Sequence, residues 1–117
     1  MVGAVNQHLD RGIAFKLEGN YDDALVELRI ALSEEPELAD VHHQLGLVLG
    51  FAGEFDESIE SLQRAIELDS ANLIAMNELA LTYAMIGLEN EAKAGFEAVL
   101  AKDPLNATAK KNLVFFG

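Results

Sequence analysis

Cysteine is absent, so disulfides and thiolate chemistry are excluded and the redox compartment leaves no mark on the chain. There is no run approaching the roughly 18 apolar residues that a membrane helix needs. The stretch Met1 to Phe15 is broken by Asn6, Gln7, Asp10 and Arg11, unlike a signal peptide. A soluble, cytoplasmic protein is expected, although nothing in the composition fixes the compartment. Basic residues are scarce: 8 Lys and Arg stand against 20 Asp and Glu, a net charge of -12. A surface this acidic repels phosphate, which argues against nucleic acid and anionic membranes as partners and favours basic or amphipathic polypeptides. A plainer alternative is that the acids only confer solubility. Proline occurs twice, at Pro36 and Pro104, where each ends a segment.

Hydrophobic residues make up 50% of the 117, which excludes wholesale disorder and is enough for one domain with a core of its own. Their order repeats. At a constant offset of 34 residues, Gly12, Gly46 and Ala80 align, as do Gly19, Gly53 and Gly87. The same register aligns Ala24, Ser58 and Ala92; Leu28, Leu62 and Phe96; Ala31, Ala65 and Val99; and Pro36, Ser70 and Pro104. A period near 34 with no insertion is the signature of a helix-turn-helix array. The units expected are residues 5–38, 39–72 and 73–106, followed by a terminal cap helix over 107–117.

In the first unit a helix is expected from about Val2 to Leu17. Gly19 and Asn20, both tolerant of the left-handed conformation, should turn the chain. A second helix then runs from Tyr21 to the stop at Glu35 and Pro36, with Asp22 and Asp23 complementing its dipole. The second unit predicts a helix through Leu45, Val48 and Leu49, a turn at Gly53, and a helix over Phe55 to Leu68. Asp69 or Ser70 is expected to cap the helix that follows. The third unit predicts helices at Leu73 to Met85 and Glu89 to Lys102. There Lys93 stands where Leu25 and Ile59 stood, making that helix less apolar. The small residues at Gly12, Gly46 and Ala80, opposite Ala24, Ser58 and Ala92, should let paired helices approach closely.

With those residues in view, the chain resembles the tetratricopeptide repeat family. The second unit carries Leu45-Gly46, Gly53, Phe55 and the run Ala65 to Asp69. Leu79, Tyr83, Gly87, Ala92, Phe96 and Pro104 carry the resemblance in the third, and Gly12, Phe15, Gly19, Tyr21, Ala24, Ala31 and Pro36 in the first. His8, His42 and Met76 stand where the family has an aromatic, and Arg11 replaces an expected Leu. The resemblance implies an all-α, right-handed superhelix of antiparallel helix pairs, about seven helices in one domain, whose first helices line a concave groove for peptide or protein segments.

Carried over residue by residue, the family's groove positions are Asn6, Leu9, Ile13, Lys16 and Leu17; Asp40, His43, Leu47, Gly50 and Phe51; and Ile74, Asn77, Leu81, Ala84 and Met85. They imply an apolar trough flanked by Asp10, Asp40 and Glu78, suited to an amphipathic or apolar segment. Whether Leu47, Phe51 and Leu81 are groove surface or buried packing stays open. One branch of the family grips C-terminal carboxylates with Lys, Arg and Asn. Here only Lys16, Asn6 and Asn77 are of that type, which argues against such a clamp.

No enzyme motif, phosphate loop or cofactor site is present. Adjacent His42 and His43 point about 100 degrees apart on a helix, so a shared metal is not expected. Paired acids such as Asp56 and Glu57 are read as helix-end charge. The function expected is a non-enzymatic interaction scaffold. Two alternatives remain: self-association through the apolar end, Leu113 to Phe116, and a regulatory domain of a larger protein.

Overall fold

The computed structural model describes residues 6–116. Among these residues seven α-helices follow one another: α1 Gln7–Leu17, α2 Tyr21–Glu34, α3 Ala39–Phe51, α4 Phe55–Leu68, α5 Leu73–Met85, α6 Glu89–Lys102 and α7 Ala107–Leu113. A 3-10 turn, Val114–Phe116, ends the described chain. No strand occurs among the described residues. Successive helices pair as hairpins, α1 with α2, α3 with α4 and α5 with α6, and α7 packs on α6. Because α3 touches both α1 and α5, the first helices form one layer of an elongated array, 46 by 30 by 21 Å.

Each hairpin turns at a glycine with positive φ: Gly19 at 78°, Gly53 at 84° and Gly87 at 84°. At the first, the Asn20 amide donates to the Phe15 carbonyl (2.9 Å) and the Gly19 amide to that of Lys16 (3.0 Å). The other two turns repeat this pair of bonds, which satisfies carbonyls orphaned at the helix end. Asn20 itself has φ of -90°, so glycine alone takes the left-handed conformation expected of both residues.

The core follows the repeat register. Leu28, Leu62 and Phe96, 34 residues apart, are each buried, as are Ala31, Ala65 and Val99. Close approach is enforced where small residues were expected. A methyl on Gly12 would lie 2.6 Å from Leu28 Cγ, and one on Gly46 would lie 2.7 Å from Leu62 Cγ. Ser58 is fully buried, and its hydroxyl donates to the Gly46 carbonyl at 2.7 Å.

Two helix ends and one cap differ from expectation, and capping asparagines account for two of the three. Asn6 is extended, and its Oδ1 accepts from the Leu9 amide, so α1 begins at Gln7 and has 11 residues where α3 and α5 have 13. Val2 to Val5, included in the expected helix, lie outside the described residues. Asn72, not Asp69 or Ser70, caps α5 by accepting from the Ala75 amide; Asp69 instead accepts from Ala71 within the preceding turn. The cap helix is α-helical only to Leu113. Beyond it Phe116 folds back onto Phe96, ring centroids 6.3 Å apart.

Candidate functional site

Depth on the face of the first helices follows position in the repeat. Leu9, His43 and Asn77 share one register position and are all buried, at 8%, 8% and 6% exposure. Four residues on, Ile13, Leu47 and Leu81 are half-buried. Four more residues on, Leu17, Phe51 and Met85 are exposed, at 78%, 58% and 62%. The face therefore slopes from a buried seam to an apolar lip.

The buried seam does structural work between repeats. His43 Nε2 lies 2.9 Å from Glu78 Oε2, and Asn72 Nδ2 lies 3.3 Å from His43 Nδ1. Since Asn72 Oδ1 is committed to the Ala75 amide, its NH2 donates to Nδ1, which leaves the imidazole proton on Nε2 facing the carboxylate. Asn77 Nδ2 donates to Asn106 Oδ1 (3.1 Å), and Asn106 in turn caps α7 through the Ala109 amide. The position thus ties α3 and α5 each to the capping asparagine of the helix that follows in the same layer. In the first repeat the same position holds Leu9, which joins Leu38 in an apolar cluster instead. Leu9, His43 and Asn77, expected as groove contacts, accordingly stand behind the surface, facing the neighbouring repeat. Asn77 Oδ1 is buried without a protein partner.

Five of the groove positions named from sequence come together. Leu47, Gly50, Phe51, Leu81 and Met85 line a hollow of about 400 Å³ between α3, α4 and α5. Its floor is Leu62 and Ser58, its flank Phe55, and Glu78 and Thr82 supply its polar edge. Phe55, Ser58, Leu62 and Thr82 were missed as lining residues because attention to the first helices hides what lies behind them. The available signal was Gly46 with Gly50: two glycines one turn apart strip α3 of side chains and open a window onto α4. At the place of Gly50 the first repeat has Lys16 and the third has Ala84, so this window belongs to the central repeat.

The remaining expected residues are placed elsewhere. Asn6 caps α1 and donates to Glu35 Oε2 (3.1 Å). Lys16 Nζ donates to Gln44 Oε1 (2.6 Å). With Asn77 committed to Asn106, all three groups of the clamp type are engaged inside the protein. Asp40 and Ile74 are exposed at the start of α3 and α5, and Leu17 at the end of α1. Phe51 also leans on Tyr21 of the first repeat, centroids 5.4 Å apart. Among the described residues no three His, Asp or Glu side chains converge as metal ligands, and no helix is long and apolar enough to cross a membrane. His8 meets Glu27 (2.8 Å) and His42 meets the Pro36 carbonyl (2.8 Å).

A family model described as tetratricopeptide repeat matches residues 39–72. Small glutamine-rich tetratricopeptide repeat-containing protein 2 of Mycosarcoma maydis is 25% identical over 85 residues, covering 73% of this chain and 24% of its own length. The chain spans 10% to 28% of the length of the curated relatives it matches. The second TPR domain of human RPAP3, solved in complex with the HSP70 peptide SGPTIEEVD, has a TM-score of 0.85 and 26% identity, covering 92% of this chain and 89% of that one. The second TPR of Spaghetti (RPAP3), bound to the HSP90 peptide SRMEEVD, has a TM-score of 0.77 and 25% identity, covering 81% and 88%. The family model thus matches the central unit, and folds of that type match along nearly all of the chain, which is similar to tetratricopeptide repeat domains throughout.

Proposed function

We propose that the chain is a non-enzymatic interaction module that receives an apolar or amphipathic polypeptide segment in the hollow between α3 and α5. The observation that carries this is the convergence of Leu47, Phe51, Leu81 and Met85, half-buried or exposed, over a floor already packed. Two or three ligand side chains buried there would each supply about 1.5 to 3 kcal/mol before ordering costs. The peptide-bound neighbours support a segment as ligand. Their peptides carry Glu and Asp, however, whereas Glu78 edges this hollow and Lys16 is engaged with Gln44. A segment with Lys or Arg beside its apolar residues fits the charge better.

Selection from a peptide library against the chain tests the reading, with Phe51→Ser, Met85→Ser as the comparison. Both side chains are largely exposed, so the variant is expected to fold, with only a small drop in melting temperature from the lost contact of Phe51 with Tyr21. Enriched peptides should be apolar with basic flanks and should bind the variant at least about tenfold more weakly. Equal binding to both proteins, or enrichment of acidic peptides, would sink the proposal.

A further inference from the structure

The charge of this chain is unevenly distributed. Residues 1–103 carry all 20 acids and 6 of the 8 bases, a net charge of -14, while residues 104–117 carry Lys110 and Lys111 and no acid, a net charge of +2. Among the described residues neither lysine has an ion-pair partner, and both are exposed. Beside them Leu105, Val114 and Phe115 are 81%, 77% and 78% exposed, as open as any large apolar side chains of the molecule. Two apolar surfaces thus face solvent: the lip of the hollow, edged by Glu78 on a body of net charge -14, and the terminal surface beside two lysines. An exposed apolar cluster rimmed by charge marks an interaction site, and opposite charge on the two surfaces selects which meets which.

We infer that the terminal surface of α7 and the 3-10 turn docks in the α3–α5 hollow of a second copy, Phe115 entering between Phe51 and Met85 while Lys110 and Lys111 meet Glu78 and the acidic body that carries it. The inference rests on the hollow being a segment-binding site and names its occupant. The surfaces differ, so the contact is head-to-tail: each copy added leaves one hollow and one end free, and assembly propagates unless it closes into a ring. Occupancy by a neighbouring copy also competes with any other segment for the hollow, so assembly and ligand binding oppose each other.

Complementation between two full-length variants tests this. Val114→Ser, Phe115→Ser removes the end, and Phe51→Lys, Met85→Lys blocks the hollow and repels the lysines; circular dichroism and melting establish that both fold. Sedimentation of wild type should show mass rising with protein concentration and falling with added salt. Each variant alone should stay monomeric, and the 1:1 mixture should give a dimer and nothing larger, because only one competent hollow and one competent end remain per pair. A monomeric wild type at every concentration overturns the inference while leaving the library result to judge the hollow itself. Assembly by the blocked-hollow variant alone would place the contact elsewhere and overturn it equally. If either variant fails to fold, Lys110→Glu, Lys111→Glu replaces it: loss of assembly is expected, and undiminished assembly overturns the inference, because charge is what selects the occupant.

Discussion

In the hairpin of α3 and α4, close approach is made on the first helix: Gly46 lies under Leu62, and a methyl there would be 2.7 Å from Cγ and 3.2 Å from the Leu62 backbone nitrogen. In the hairpin of α5 and α6 the equivalent residue, Ala80, carries that methyl, and the relief is on the second helix. A methyl on Gly95 would lie 2.9 Å from Ala80 Cβ. Where Gly95 stands, the other hairpins have Glu27 and Ser61. One methyl has crossed from one helix to the other, and the helices close on each other either way. What the fold requires is the summed volume at the contact, not glycine at a fixed place.

The strongest way to break this comparison is Gly46→Leu, which drives a branched side chain into both the side chain and backbone of Leu62. A loss of about 3 kcal/mol is expected after the gain in helix propensity is offset. A melting temperature equal to wild type would show that the contact is not close. Gly95→Ala is expected to cost less, about 1 kcal/mol, because only one methyl meets another and alanine favours the helix. Adding Ala80→Gly transposes the third hairpin into the arrangement of the second. Denaturation of the four proteins should reveal a favourable coupling of about 1 kcal/mol, and strict additivity would mean that the two residues do not share the space. The smallest effect is expected at Ser58→Ala. Alanine already occupies this position at Ala24 and Ala92, and only the hydrogen bond to the Gly46 carbonyl is lost, at about 1 kcal/mol or less. A larger drop would make that hydroxyl a fastener particular to the central hairpin.

The helices were legible because their signals are local. Tyr21, Phe55, Leu73 and Glu89 follow turns whose chemistry is written in neighbouring residues, and Phe55–Leu68 and Leu73–Met85 run as the spacing of their apolar residues predicts. The start of α1 was less legible because Asn6 caps two residues later in the register than Asn72 and Asn106 do. Side-chain depth was the least legible of all. Periodicity assigns Leu9, His43 and Asn77 to the first-helix face, but burial there depends on the following repeat. His43 is covered by Asn72 and Glu78, some thirty residues away in the chain, and no local pattern encodes that meeting. The hollow was missed in part for the same reason: its floor is contributed by another helix, seen only through the gap left by Gly46 and Gly50.

The slope of the first-helix face, from Leu9, His43 and Asn77 at the seam to Leu17, Phe51 and Met85 at the lip, separates two inheritances. Substitutions at the seam are answerable to the stacking of repeats, and few will survive. Those at the lip, on the proposed reading of the hollow, are answerable only to the segment it receives. On that reading a lineage of such chains is free to change its partners while its scaffold stands still, and divergence between copies should concentrate eight residues along the helix from where it is forbidden.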